Sequence, residues 1–141
     1  MLKDKCTIYN STKYSFTATE FVPTKLTLNT KTIQNTGELT LYNNGIKIGK
    51  DISKVKLSAR IGLDGYREVG EVDMIIYKNN SGVVAVYGTN LKAEYKQELV
   101  LMPILLTCQE GDVFYLYFSK NSNKSLNILE GISTNLSIEA V

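Results

Sequence analysis

LVLMPILLTCQEGDVFYLYF, residues 99–118, is the most apolar stretch of this 141-residue chain, and its reading decides the fold. Two apolar runs flank Gln109-Glu110-Gly111-Asp112, a turn signal in which Gly supplies a positive φ and Asp hydrogen-bonds its own backbone. The stretch therefore reads as strand, turn, strand, closing as a hairpin. On its second strand Val113, Tyr115 and Tyr117 share one face and Phe114, Leu116 and Phe118 the other. On its first, Leu99 and Leu101 oppose Val100, Met102, Ile104 and Leu106. Both faces are apolar, whereas a strand with one face in water alternates with polar residues. A second buried face is expected. Either a loop or the N-terminal segment covers it, or it meets other subunits. In the second case Tyr115 and Tyr117 are the interface pair, because Tyr supplies large contact area at small entropic cost. Leu99 and Leu101 on the neighbouring strand complete that candidate interface.

Outward from this stretch the chain reads as more strands. Val55, Leu57, Ala59 and Ile61 alternate with Lys54, Lys56, Ser58 and Arg60, a half-buried antiparallel strand. Leu39 and Leu41 alternate with Thr40 and Tyr42 up to Asn43-Asn44-Gly45, a two-residue hairpin or short-bulge signal, after which Ile46 and Ile48 resume the pattern. Residues 72–77 and 83–87 form a hairpin across Asn79-Asn80-Ser81-Gly82. Pro23 interrupts the Thr-, Val- and Leu-rich residues 16–28 and splits a first strand. Two short strands, near 126–129 and 136–140, close the chain. Residues 1–15 are polar and mixed, and are expected as an N-terminal arm, flexible or laid on a neighbour. With no sustained 3.6-residue apolar period, the fold class is all-β, a sandwich of about eight to ten strands over residues 16–141.

Composition restricts the chemistry. Sixteen basic against fourteen acidic residues leave a net charge of +2, too near balance to draw a polyanion, which speaks against nucleic acid as a partner. No apolar run reaches the roughly 18 residues needed to span a bilayer, so no membrane partner is expected. Fourteen of the sixteen basic residues are Lys and Asn is abundant, which is the mark of AT-rich coding and a low-GC Gram-positive host. The absence of His removes the usual general base, the Ser-His-Asp and Cys-His constellations and the commonest zinc ligand. A glycosidase-type carboxylate pair would leave no local spacing to read, but there is no Trp to stack on a sugar. Asp64, Glu68 and Glu71 share one Gly-rich loop without the EF-hand spacing, and read as solvated charges. Cys6 and Cys108 match neither a disulfide framework nor a metal motif, and Cys108 reads as a packing residue. No catalytic residue, metal site or cofactor is expected.

The order of these pieces resembles the jelly-roll domains of the TNF/C1q-like class, particularly the small versions in virion proteins of phages of Gram-positive bacteria. The resemblance rests on GELTLYNNGIKIGKDISKVKLSARI at 37–61, VDMIIYKNNSGVVAV at 72–86, LLTCQEGDVFYLYF at 105–118 and NLSIEAV at 135–141. It implies an antiparallel jelly roll, a homotrimer about a threefold axis and no catalytic residues. It also implies a virion protein made in the host cytoplasm: a capsid decoration or head fibre, held to capsid or baseplate proteins through the arm, with Leu2, Ile8 and Tyr9 as attachment residues. The alternative it implies is a tail or baseplate receptor-binding module for a host surface glycan. Such tail heads hang from stalks, and the sequence has no coiled-coil heptads or fibre repeats, which favours the head.

Overall fold

Residues 54–64 show why the chain folds as it does. Val55, Leu57, Ala59, Ile61 and Leu63 are all buried, while Lys54 and Lys56 stand exposed on the other face. The period of two expected from the sequence is thus the period observed. The computed structural model describes residues 4–17, 22–34, 37–64, 70–80, 82–91, 97–121 and 124–141. Among these, thirteen strands and no helix are present.

Two antiparallel sheets stack face to face. The first contains β1 (Lys5–Asn10), β2 (Tyr14–Phe16), β4 (Thr30–Gln34), β7 (Lys54–Asp64), β10 (Gln97–Thr107), β12 (Leu126–Ile128) and β13 (Gly131–Ala140). Its neighbours run β4-β1-β13-β7-β10, with β12 pairing the end of β7 and β2 pairing β12. The second contains β3 (Thr24–Lys25), β5 (Leu39–Tyr42), β6 (Gly45–Ile48), β8 (Gly70–Lys78), β9 (Gly82–Leu91) and β11 (Val113–Lys120), in the order β5-β6-β11-β8-β9, with β3 beside β11. Between the sheets lies one apolar core. Phe114, Leu116 and Phe118 face it from β11, Leu57 and Ile61 from β7, and Leu136 and Ile138 from β13. Phe16 meets Phe118 edge to face at 5.0 Å.

Four features differ from the sequence expectations. The strands number thirteen rather than eight to ten, because pieces as short as two or three residues (β2, β3 and β12) complete the sheets without room for a readable alternation. The residues taken as an arm, 1–15, instead contain β1 and β2. β1 lies inside the first sheet, paired to β13 on one side and β4 on the other, with Cys6 and Ile8 wholly buried. The stretch 99–118 is a strand, a turn and a strand but not a hairpin: β10 pairs with β7 in one sheet, and β11 with β6, β8 and β3 in the other. The turn at Gly111 (φ +92°) carries the chain across the sandwich, tied down by Gly111 N–H to the Ile48 carbonyl and Cys108 N–H to the Ser53 carbonyl. Lastly, a bulge sets Met102 and Pro103 together opposite Ser58, since Leu101 pairs with Ala59 and Ile104 with Leu57. This change of phase turns Ile104 and Leu106 inward with Leu99 and Leu101, against the strict alternation expected of them.

The β5–β6 hairpin is the two-residue form, with both loop residues in the left-handed region (Asn43 φ +47°, Asn44 φ +65°) and Tyr42 paired to Gly45. Gly45 is required for space. A Cβ there would sit 2.6 Å from the Phe114 carbonyl oxygen and 2.7 Å from the Tyr115 ring. Gly45→Ala is accordingly expected to destabilise by about 2 kcal/mol, read as a lower urea midpoint at an unchanged slope.

Candidate assembly surface

The outer face of the first sheet is built from in-register rows. Lys5, Glu139, Lys56 and Leu105 form one; Thr32, Thr7, Ser137 and Ser58 the next; Thr30, Tyr9, Asn135, Arg60 and Val100 the third. The middle row holds only short hydroxyl side chains, with Thr7 Oγ1 and Ser137 Oγ hydrogen-bonded at 2.8 Å. It is therefore a trough between two taller rows, an open cavity of about 370 Å³ walled by Met102, Pro103 and Ile132. Where Met102 and Pro103 crowd opposite a single Ser58, the β10 edge is thrown outward.

That edge is apolar and exposed. Met102 is 72% exposed and Leu105 60%, with Val100 beside them. β9, the edge of the second sheet, touches β10 along the same open side of the sandwich. It contributes Val83, Val86 and Tyr87, of which Val86 is 59% exposed. The exposed apolar side chains of the free β10 edge form a ridge of the kind that marks an interaction site, whereas Val83 and Val86 stand opposite Tyr77 and Ile75 on the outer face of the second sheet. Arg60 Nε and Glu98 Oε2, 3.7 Å apart, make an exposed ion pair at one end.

The residues singled out in the sequence fall on both sides of this picture. Leu99 is wholly buried in the protomer's own core and offers no surface to a neighbour; Leu101, half-buried, packs against that core. Tyr115 does lie on the outer face of the second sheet, yet it is only 3% exposed, with the Lys25 ammonium 4.4 Å above its ring and Gly45 close against the ring. Burial raises its phenol pKa above the ordinary value. Tyr117 is half-buried on the same face, its ring 4.3 Å from that of Tyr77. Within the protomer the second apolar face of β11 is covered at Tyr115 and left partly open at Tyr117. Ile8 is a core residue and cannot be an attachment contact. Tyr9 is half-buried in the third row of the first sheet, and Leu2 lies outside the described residues. Met102, Pro103 and Leu105 were not singled out. Their signal was Pro103, since Pro within an apolar strand marks an edge or a bulge.

Among the described residues no group of three or more His, Cys, Asp or Glu side chains is arranged to hold a metal ion. Asp64, at the start of the Gly-rich acidic loop, is engaged by Lys13 Nζ and Asn127 Nδ2, each at 3.1 Å; Glu68 lies outside the described residues. Both cysteines are free thiols. Burial pushes the Cys6 thiol up to about 11, and burial likewise raises Cys108, so neither is an activated nucleophile.

No family model and no curated protein matches the sequence. Solved structures do match the fold. Murine APRIL, in a crystal structure at pH 8.5, superposes with a TM-score of 0.71 over 99% of each chain at 8% identity. Eiger TNF from S. frugiperda superposes with a TM-score of 0.67 over 100% of this chain and 94% of its own, also at 8% identity. The two-sheet arrangement described above is therefore a TNF-like jelly-roll sandwich.

Proposed function

We propose that this chain is a non-enzymatic structural protein that assembles as a closed ring of three and works on a bacteriophage virion, as a capsid decoration or head fibre. The observation that carries the reading is the exposed apolar β10 edge of Met102 and Leu105, which borders an open trough on the outer face of the first sheet. Docking of this edge on the outer face of the first sheet of the next copy makes a heterologous contact, which closes as a ring when the rotation permits. Trimers are what the TNF/C1q-like class implies, and the absence of His accords with a role without acid–base chemistry. A free N-terminal arm is not part of this reading, because β1 and β2 belong to the sandwich; attachment falls to the surfaces that a ring leaves open.

A receptor-binding module of a tail or baseplate is the second reading. It draws on the outer face of the second sheet, where Tyr42, Tyr77 and Tyr117 stand beside Lys25 and Lys47 as a surface suited to a glycan.

Light scattering on the purified chain tests the ring. The expected mass is three times 15.7 kDa, and Met102→Glu is expected to bring it down to a single chain. A monomeric parent protein, or a variant that keeps the full mass, overturns the assembly reading. Imaging of labelled protein on purified virions tests the location. Heads carrying the label support the first reading, tail tips together with binding to host cell walls support the second, and absence from virions removes both.

A further inference from the structure

β10 runs for eleven residues and β9 for ten, each at the edge of its sheet with one partner among the described strands. Such edges present a row of unpaired backbone N–H and C=O groups, a template on which another chain can add a strand. Charged side chains, above all Lys, are a usual guard. β9 (GVVAVYGTNL) has no charged residue and β10 (QELVLMPILLT) only Glu98 near its start. The guard present is geometric. In β10, Met102 and Pro103 oppose the single Ser58, and in β9 the register slips between Ile76 and Tyr77 of its partner, leaving Val84 without an opposite residue. Pro103 also lacks an N–H. β10 is thereby split into Gln97–Leu101 and Ile104–Thr107, and a partner strand in phase with one half is out of phase with the other.

We infer that the Met102–Pro103 bulge limits assembly: it refuses strand addition by a second copy of this chain and leaves only side-chain docking through the residues it throws outward. The partner is another copy, because the bulge that blocks the backbone also turns the apolar Leu105 outward, and its Met102 and Pro103 wall the trough on the same chain. What forms once strand addition is refused rests on the proposed ring; the refusal itself does not.

Pro103→Thr restores an N–H and a strand-forming residue at the bulge. The variant is expected to grow beyond any discrete mass, at least tenfold by light scattering within days, with rising thioflavin T fluorescence, while the parent protein keeps one discrete mass. Adding Leu105→Glu to that variant places a charge on the same edge, opposite Lys56, and is expected to return it to a discrete species. A Pro103→Thr protein with the parent's mass overturns the inference. So does growth that Leu105→Glu fails to arrest, since that growth comes from misfolding rather than from the edge. Should the parent prove monomeric, the ring is lost, and the comparison of Pro103→Thr with the double variant still decides whether the bulge is a guard.

Discussion

Removal of residues 1–10 is expected to unfold the chain, not to release a folded protein from a partner. β1 is hydrogen-bonded on both sides, so its loss strips β13 and β4 of one neighbour each and opens the core where Cys6 and Ile8 were wholly buried. Asn10 is buried as well, its amide donating to the Leu129 carbonyl at 3.2 Å. Two broken ladders and an opened core exceed the roughly 5–15 kcal/mol by which a domain of this kind is stable. A gentler variant separates a structural from a docking role. Ile8→Ala leaves a cavity in the core and is expected to cost about 3 kcal/mol, read as a large drop in urea midpoint. Far-UV circular dichroism of the truncated chain, expected to show loss of the sheet signal, checks the first result. A folded truncated protein would return these residues to the status of an arm.

That segment also shows where a sequence stops being legible. In KCTIYN the alternation is present: Cys6, Ile8 and Asn10 point inward while Lys5, Thr7 and Tyr9 do not. It passes unnoticed because Cys and Asn do not look like a core face, although free Cys is among the most buried residue types and a buried Asn needs only a partner. The long strands are read correctly, as in β7 and in the β5–β6 hairpin, because their signals are local: a period of two and an Asn-Asn-Gly turn. Which strand pairs with which is not local. The turn at Gln109–Asp112 looks the same whether it joins two strands of one sheet or carries the chain from one sheet to the other, and only the partners of β10 and β11 decide. The same holds for the ridge. Met102 is outward by alternation from Leu99 and Leu101, and the bulge at Pro103 alone turns Leu105 outward while Ile104 and Leu106 turn in.

Asp112→Ala is expected to be as disruptive as a core truncation, although no apolar contact is lost. The Asp112 carboxylate accepts the Gln109 N–H at 2.9 Å and the Asn79 side-chain amide at 3.2 Å, and lies 3.3 Å from Lys78 Nζ. Asn79 (φ +60°) in turn accepts the Val113 N–H at 3.0 Å and donates its own N–H to the Val113 carbonyl, while the Asp112 carbonyl accepts the Ile48 N–H. The carboxylate thus fastens the β8–β9 turn to the corner where the chain crosses between sheets, and the main chain of the same residue ties β6 there. Without the carboxylate the Gln109 N–H and the Asn79 amide lose their acceptor and Lys78 keeps only the Thr107 carbonyl, at a cost of about 3 kcal/mol. Burial pushes the carboxyl pKa up, but the Gln109 N–H, the Asn79 amide and the Lys78 ammonium together outweigh burial and hold it below the ordinary carboxylate value. The sign follows from the depressed folded-state value. The stabilisation is present in full above about pH 4, where the carboxyl is ionised even in the unfolded chain, and it is lost as pH falls through the folded-state value. Urea midpoints measured from pH 7 to pH 2.5 are therefore expected to fall more steeply below pH 4 for the parent protein than for Asp112→Asn, which keeps the shape and has no proton to gain. Parallel curves for the two would mean that the carboxylate's charge does not hold this corner.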